Sequence, residues 1–162
     1  MAKLQYLALA CLLTAVLPGA ASAQTCGLRE FASIDLLPNS EVPVVEMQIG
    51  GRTLHMMIDT GGVYSSLNAD VVDALKVSQH DIKNGMEVYG AGGEQYKTYV
   101  EAPDFKLGAI ALDKYPMMVA HHALTGNGID GTLAADFLSR FEVDFDFAAH
   151  KLNFFAPDHC PG

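Results

Sequence analysis

One short segment of this chain combines an aspartate, a threonine and two glycines in a setting suited to acid–base chemistry. The residues Asp59-Thr60-Gly61-Gly62 directly follow an apolar run that ends at Ile58. A carboxyl group at the end of a buried strand lies in a low dielectric, where its pKa is easily moved and its charge strongly felt. The glycines allow a tight turn and leave room beside the acid for a substrate or another chain. We therefore take Asp59 as the candidate catalytic residue and the three residues after it as its loop.

This loop, with the apolar residues before it and residues 65–67 after it, resembles the Asp-Thr-Gly active-site loop of the aspartic proteases. The resemblance is greatest to the single-domain, retroviral-protease-like families, and within them to exported bacterial proteins. Residues 129–138 are similar to a late Gly-x-x-Gly-x-Asp-Phe-Leu segment of those families, which leads into a helix and a terminal hairpin. Ala134 stands where that segment usually carries glycine, and its methyl group is either tolerated or shifts the loop.

A glycine-rich hairpin lies in the place of the flap that covers the substrate in these families. Its candidate flap residues are Tyr89, Gly90, Ala91, Gly92 and Gly93. The resemblance implies that the flap excludes water and holds an extended peptide by strand addition. It is not a phosphate-binding loop, because it opens no helix and lacks the lysine and hydroxyl of a P-loop.

The first 23 residues are typical of a secretory signal peptide. Lys3 provides a positive charge, residues 7–17 form an apolar core, and residues 21–23 fit an A-x-A cleavage site. We expect residues 1–23 to be removed and residues 24–162 to form one retropepsin-like protease domain, periplasmic or secreted, with no stable membrane anchor. The formal net charge of −9 argues against nucleic acid and anionic membranes as partners.

Two cysteines, Cys26 and Cys160, stand near the ends of the expected mature chain. In an oxidising compartment they are candidates for a disulfide that ties the termini together. In the chain-entropy model such a long loop would add roughly 4–5 kcal/mol. Two free thiols or an intermolecular bond are the alternatives, since the sequence does not give their separation.

Most segments have the pattern of strands separated by glycine turns, which predicts an all-β fold. Residues 141–147 alternate apolar and acidic side chains with the period of a strand. Asn68 is a candidate N-cap for a helix that starts at Ala69. The architecture we predict is a small closed acid-protease barrel with one or two short helices. The predicted strands are 42–49, 52–58, 86–89, 94–100, 105–107, 110–119, 141–147 and 152–155, with a second helix over 133–138.

The chemistry of the loop requires a second carboxyl group. Two adjacent carboxyls that share one proton can activate water and protonate the amide together. The chain has one Asp-Thr-Gly loop, so the simplest completion is a homodimer with two copies of Asp59, acting on polypeptide. The family resemblance gives Thr60 the task of joining the two loops and Gly61 that of close approach. A non-catalytic peptide-binding or assembly module, or one half of a longer two-lobed protease, is the alternative.

The remaining polar residues favour structural roles and no cofactor or metal. His121 and His122 are adjacent on a predicted strand and so point opposite ways, without a further ligand at suitable spacing. Ser65 and Ser66 have no nucleophile elbow around them. We expect Asp136 to cap a helix or lie on the surface and the acids of segment 141–147 to be solvated. The methionines, including the pairs at 56–57 and 117–118, are expected to fill the core.

Overall fold

The computed structural model describes residues 27, 29–83, 87–90, 93, 95–121 and 128–157. These ranges contain twelve β-strands and two short helices. The strands are β1 (Glu30–Asp35), β2 (Val44–Ile49), β3 (Arg52–Ile58), β4 (Ser66–Asn68), β5 (Gln79–Asp81), β6 (Val88–Tyr89), β7 (Gln95–Tyr96), β8 (Thr98–Leu107), β9 (Ile110–Ala120), β10 (Gly131–Leu133), β11 (Glu142–Asp146) and β12 (Lys151–Phe155). The helices are α1 (Ala69–Leu75) and α2 (Ala135–Leu138).

Six strands close into a barrel in the order β2-β3-β10-β4-β9-β8 and back to β2. The β2–β3 hairpin turns at Gly50 and Gly51, whose φ angles are 56° and 75°. Glycine adopts these angles without steric cost, which gives the tight turn that the sequence predicts. The ring closes where Gln48 of β2 lies opposite Lys106 of β8. The prediction of an all-β closed barrel with short helices is confirmed.

Strand β10 passes between β3 and β4, parallel to the first and antiparallel to the second. This crossing is tight at Gly131, where a β-carbon would overlap the carbonyl oxygen of Ser66 and approach the Cα of Leu67 to 3.1 Å. The backbone N–H of Asp59 donates to the carbonyl of Leu133 at 2.9 Å. The crossing therefore fixes the end of β3, from which the Asp59 side chain projects.

Helix α2 is anchored by an aromatic cluster around Phe137. Its ring lies 5.2 Å from Phe105, 5.7 Å from Tyr115 and 6.1 Å from Phe154, and the four side chains are almost completely buried. Such ring pairs add about 0.5–1.5 kcal/mol each beyond their area burial. Since α2 directly follows β10, this packing holds the helix start against the Asp59 loop.

The methionine prediction holds for part of the set. Met47, Met56 and Met117 are at most 2% exposed and belong to the core. Met57 and Met118 are half-buried. Among the described residues no helix is long and apolar enough to cross a membrane.

Three strands form a second sheet in the order β1-β12-β11, beside the barrel. The predicted alternation along β11 is only partly realised, because four of its five residues are half-buried and Asp144 alone is exposed. Asp144 accepts a hydrogen bond from the Asn153 side chain at 3.1 Å, and Asp146 accepts one from the Ala149 N–H at 2.8 Å. Phe147, predicted to lie in the same strand, is 63% exposed in the turn after it.

Several predicted boundaries are wrong for identifiable reasons. Residues 105–107 are not a separate strand but the end of the long β8, which bends at Asp104 with a φ of 47°. The second helix starts only at Ala135, because Leu133 pairs with β3 and Ala134 is extended. Asn68 precedes α1 as predicted, but its side chain donates to the carbonyl of Ile129 instead of capping the helix. Strands β1, β4, β5 and β10 were not predicted.

Candidate active site

The Asp59 carboxylate is held by its own loop. Its Oδ1 atom accepts hydrogen bonds from the N–H groups of Gly61 at 3.0 Å and Gly62 at 2.9 Å. The side chain is half-buried, and Gly61 is exposed. Two backbone donors to one oxygen fix the direction of a carboxyl group. The loop therefore presents an oriented carboxylate at the protein surface.

Glycine is required at position 62 by the close approach of Asp59. A β-carbon there would lie 2.6 Å from Asp59 Oδ2 and 3.2 Å from the Cβ of Ala134. Ala134 itself is fully buried in an extended conformation that any residue adopts. Its methyl group is thus tolerated, with the loop hydrogen bonds to Asp59 in place.

The start of α2 is joined to the loop through backbone contacts. The N–H of Ala135 donates to the carbonyl of Gly62 at 3.1 Å, and that of Asp136 donates to the carbonyl of Val63 at 3.1 Å. These are helix-start donors, which have no partner inside the helix. The carbonyls of Gly62 and Val63 accept hydrogen bonds from these N–H groups and so link the Asp59 loop to the aromatic cluster around Phe137.

A buried side-chain network lies directly behind the loop. The N–H and the hydroxyl of Ser65 both donate to Asp136 Oδ1, at 2.9 and 2.7 Å, and the N–H of Ala134 donates to Ser65 Oγ at 3.0 Å. Asp136 also accepts the N–H of Phe137 at 3.0 Å. The capping role predicted for Asp136 accounts for its hydrogen bond with Phe137. Its hydrogen bonds with Ser65, 71 residues away, could not be predicted from the local sequence.

Tyr115 completes this network from β9. It is 2% exposed, hydrogen-bonds to Asp136, and lies under the guanidinium of Arg140, which is 5.3 Å from its ring centre. Burial, and next the neighbouring Asp136 carboxylate, raise the pKa of the Tyr115 hydroxyl well above its usual range. The Tyr115 phenol therefore stays neutral and can donate a hydrogen bond to the Asp136 carboxylate.

A cavity of about 280 Å³ lies between the Asp59 loop and the β6–β7 hairpin, the candidate flap. The hairpin pairs Val88 with Tyr96 and Tyr89 with Gln95, and the Gly93 N–H donates to Gly90. The sequence predicted the hairpin and its place. The cavity is lined by Asp59, Gly61, Gly62, Val63, Tyr64, Glu87, Val88, Tyr89, Gly90, Tyr96 and Thr132.

Thr60 faces away from this cavity into a second, more open groove of about 340 Å³. The other residues of this groove come from α2, from the segment after it and from β11, and most are apolar. They are Ala135, Leu138, Ser139, Phe141, Val143 and Phe145. Thr60 and Ser139 are exposed there. We call this surface the α2–β11 face.

Some predicted site residues lie outside the described part of the chain. They are Cys26, Cys160, Ala91 and Gly92, together with residues 1–23 and His122. Within the described residues, no group of three or more histidine, cysteine, aspartate or glutamate side chains is arranged to hold a metal ion. The cavity residues Glu87 and Tyr64 were not predicted, because no local motif marks them. Thr132 lies in the segment 129–138 but was not predicted to line the site.

The sequence matches the family model described as aspartyl protease over residues 45–137, more than half of the chain. None of the curated proteins matches it. Among solved structures it is similar to a retropepsin-like aspartic protease from Rickettsia conorii, with 13% identity and a TM-score of 0.52, covering 82% of this chain and 95% of that one. It is also similar to the retroviral protease-like domain of Ddi1 from Leishmania major, with 17% identity and a TM-score of 0.49, covering 77% and 96%.

The chain therefore belongs to the aspartyl protease family. The similarity to the Rickettsia structure shows in addition that its barrel is retropepsin-like. Because the two sequences are only 13% identical, this similarity concerns the fold alone. The resemblance that the Asp-Thr-Gly loop and residues 129–138 suggested is thus confirmed at the level of family and fold.

Proposed function

We propose that this protein is an aspartic endopeptidase in which Asp59 works with the Asp59 of a second copy. The observation that carries the proposal is the Asp59 carboxylate, held by the N–H groups of Gly61 and Gly62 at the edge of a cavity. The cavity runs between that loop and a hairpin, where an extended peptide would bind. Membership of the aspartyl protease family supports hydrolysis as the reaction class.

Two copies of Asp59 would divide the acid and base roles. Like charges about 3 Å apart cannot both ionise, so a pair shares one proton and titrates as a unit. The ionised carboxyl takes a proton from a water molecule while the oxygen of that water attacks the peptide carbonyl carbon. The protonated carboxyl gives its proton to the carbonyl oxygen, which forms a tetrahedral diol. As the C–N bond of the diol breaks, the first carboxyl passes the proton taken from water to the departing nitrogen, and the second recovers a proton from the diol. No metal or cofactor enters these steps.

The α2–β11 face is the surface on which we place the second copy. It begins at Thr60, next to Asp59, so a two-fold axis beside it would bring two loops together. Its side chains are mostly apolar, as expected for the core of a lasting interface. Helix α2 and the loop are joined by backbone hydrogen bonds, so contacts made on this face would also hold Asp59.

We also propose that the mature protein is exported as residues 24–162 to the periplasm or outside the cell. The support is the signal-peptide pattern of residues 1–23. An oxidising compartment would favour pairing of Cys26 with Cys160.

The decisive experiment is cleavage of an unfolded protein at acid pH by residues 24–162, titrated over enzyme concentration. Because the site needs two copies, specific activity should rise with concentration until the dimer is saturated. Asp59→Asn should lose activity by a factor on the order of 10⁴ or more, since it removes the ionisable pair while keeping the side-chain shape.

Asp70→Asn is the matched control, since Asp70 is an exposed aspartate in the first turn of α1 and lies outside the cavity. Cleavage that persists in Asp59→Asn would refute the proposal. Peptide binding without turnover by a saturated dimer would identify a non-catalytic binding module instead.

A further inference from the structure

The cavity beside Asp59 has the size of a pocket for one substrate side chain. Its volume of about 280 Å³ is enough for one long side chain with part of its backbone, and Asp59 is among its lining residues. A residue bound here would therefore be next to the bond that is cut. The chemistry of the pocket walls would then select which polypeptides are cleaved.

The inner wall of the pocket is apolar and well packed. Val88 and Tyr96 are 6% and 7% exposed and form a small buried cluster with Ala120. The half-buried Tyr64 packs against this cluster and also lines the pocket. Such a wall binds the methylene groups of an extended side chain, whether or not that side chain ends in a charge.

The outer part of the pocket is negative. The ionisable groups that line it, among the described residues, are the carboxyls of Asp59 and Glu87 and the hydroxyls of three tyrosines, with no lysine, arginine or histidine. Glu87 is exposed and accepts a hydrogen bond from the Tyr89 hydroxyl at 3.4 Å, which is long and therefore weak. Asp59 Oδ1 is already taken by two backbone donors. The proposed mechanism uses the Asp59 carboxyl for catalysis, which leaves Glu87 as the carboxylate for a substrate cation.

From this combination we infer that the protein prefers polypeptides with a basic residue, lysine or arginine, beside the cleaved bond. Glu87 is the specificity-determining residue, while Tyr64, Val88 and Tyr96 bind the aliphatic stem. The inference rests on the proposed function, because it takes Asp59 as the point of cleavage. An acidic side chain would meet Glu87 and Asp59 with like charge and be rejected.

Two peptides that differ only in lysine or norleucine beside the cleaved bond test this inference. Norleucine keeps the stem of lysine and lacks the ammonium group, so the ratio of the two kcat/KM values isolates the charge. We expect wild type to prefer lysine and Glu87→Gln to lower that ratio about fivefold, which is the upper range for a solvent-accessible ion pair. Glu87→Lys should favour a glutamate peptide over the lysine one.

Glu46→Gln is the matched control, because Glu46 is an exposed glutamate on β2, outside the pocket. Its lysine-to-norleucine ratio should equal that of wild type. A wild-type ratio at or below one, or an unchanged ratio in Glu87→Gln, would overturn the assignment while leaving the protease proposal intact.

Binding measurements keep the inference testable if no peptide is cleaved. The same two peptides, made with a reduced amide at the cleavage position, are titrated against wild type and Glu87→Gln at neutral pH. Tighter binding of the lysine peptide that is lost in Glu87→Gln supports the pocket even if catalysis fails. Equal affinity for the two peptides in wild type refutes it.

Discussion

Two glycines near Asp59, one in its loop and one in β10, show that the site and the fold have different requirements. Gly62 meets only the end of a side chain and one methyl group, so the protein could fold around a larger residue there. Gly131 instead meets the backbone of β4, which cannot move without disturbing the barrel. Substitution at position 62 should therefore affect activity, whereas substitution at position 131 should affect stability.

Gly62→Ala tests the first of these demands. The new β-carbon would lie 2.6 Å from Asp59 Oδ2, so the carboxylate must turn away from its position. We expect kcat/KM to fall about 100-fold, the effect of a misplacement of about 1 Å in a catalytic group. The melting temperature should change little. Gly27→Ala, where nothing lies within 4 Å, is the control. Full activity of Gly62→Ala would contradict the geometry.

Tyr115→Phe tests the network behind the loop through its pH dependence. The folded-state pKa of Tyr115 is raised, so its stabilising contribution is present below the unfolded pKa of about 10 and is lost as the pH rises further. Wild type should lose up to about 1.4 kcal/mol per pH unit from this group above pH 10, a loss that the variant lacks. At pH 7 the variant should be less stable by about 1–3 kcal/mol, because Asp136 loses a buried donor.

Urea unfolding of both proteins between pH 7 and 11 measures this difference. The stability gap between wild type and Tyr115→Phe should narrow above pH 10. A gap that stays constant over this range would show that Tyr115 does not ionise differently in the folded protein.

At the scale of elements, α2 links the hydrophobic core to the candidate site. Phe137 lies on its buried face, and its first two N–H groups donate hydrogen bonds to the carbonyls of Gly62 and Val63. Its other side contributes to the α2–β11 face beside Thr60. A four-residue helix is too short to be stable alone, so its position depends on these tertiary contacts.

Ser139→Arg tests the α2–β11 face as a dimer interface. Ser139 is exposed in the groove, so the substitution should not disturb folding, but it would bury an unpaired charge between two copies. We expect the dimer dissociation constant to rise at least about tenfold, with activity recovered at higher protein concentration. Sedimentation velocity measures the first effect and peptide cleavage the second.

Ser78→Arg, at an exposed position between α1 and β5, is the control and should dimerise as wild type does. Unchanged assembly of Ser139→Arg would move the interface to another part of the surface.

At the scale of the whole molecule, the proposed site depends on assembly and on the compartment. In the proposed dimer each copy would contribute one carboxyl group of the catalytic pair, so we expect the protein to be inactive when dilute and active when concentrated. The acidic chain, with a formal charge of −9, would resist association with itself at low ionic strength. Association should therefore strengthen with added salt or at lower pH, as carboxylates are neutralised.

Export makes a prediction that can be checked by mass spectrometry. Protein recovered from the periplasm or medium of an expressing bacterium should begin at Gln24, because the signal-peptide pattern places cleavage after Ala23. Alkylation without reductant should leave Cys26 and Cys160 unmodified if they are paired. An intact N-terminus at Met1 in cytoplasmic protein would contradict export, and two alkylated cysteines would contradict the disulfide.

Features that depend on near neighbours along the chain could be predicted from the amino-acid sequence. The Asp59 loop and the β2–β3 hairpin with its two glycines were predicted because turn residues and side-chain alternation act locally. The start of α1 was predicted from Asn68, although the side chain of Asn68 does not cap the helix. The closed barrel followed from many short strands, and the comparisons confirm the family and the fold.

Contacts between residues far apart in the sequence depend on how the barrel closes. Ser65 and Asp136 are 71 positions apart, and no local pattern indicates that both lie behind the loop. Glu87 and Asp59 line the same cavity because the barrel brings the segment before β6 close to the end of β3. Short strands such as β4 and β10 were missed for the same reason, since pairing on both sides stabilises three residues that have little β-preference alone.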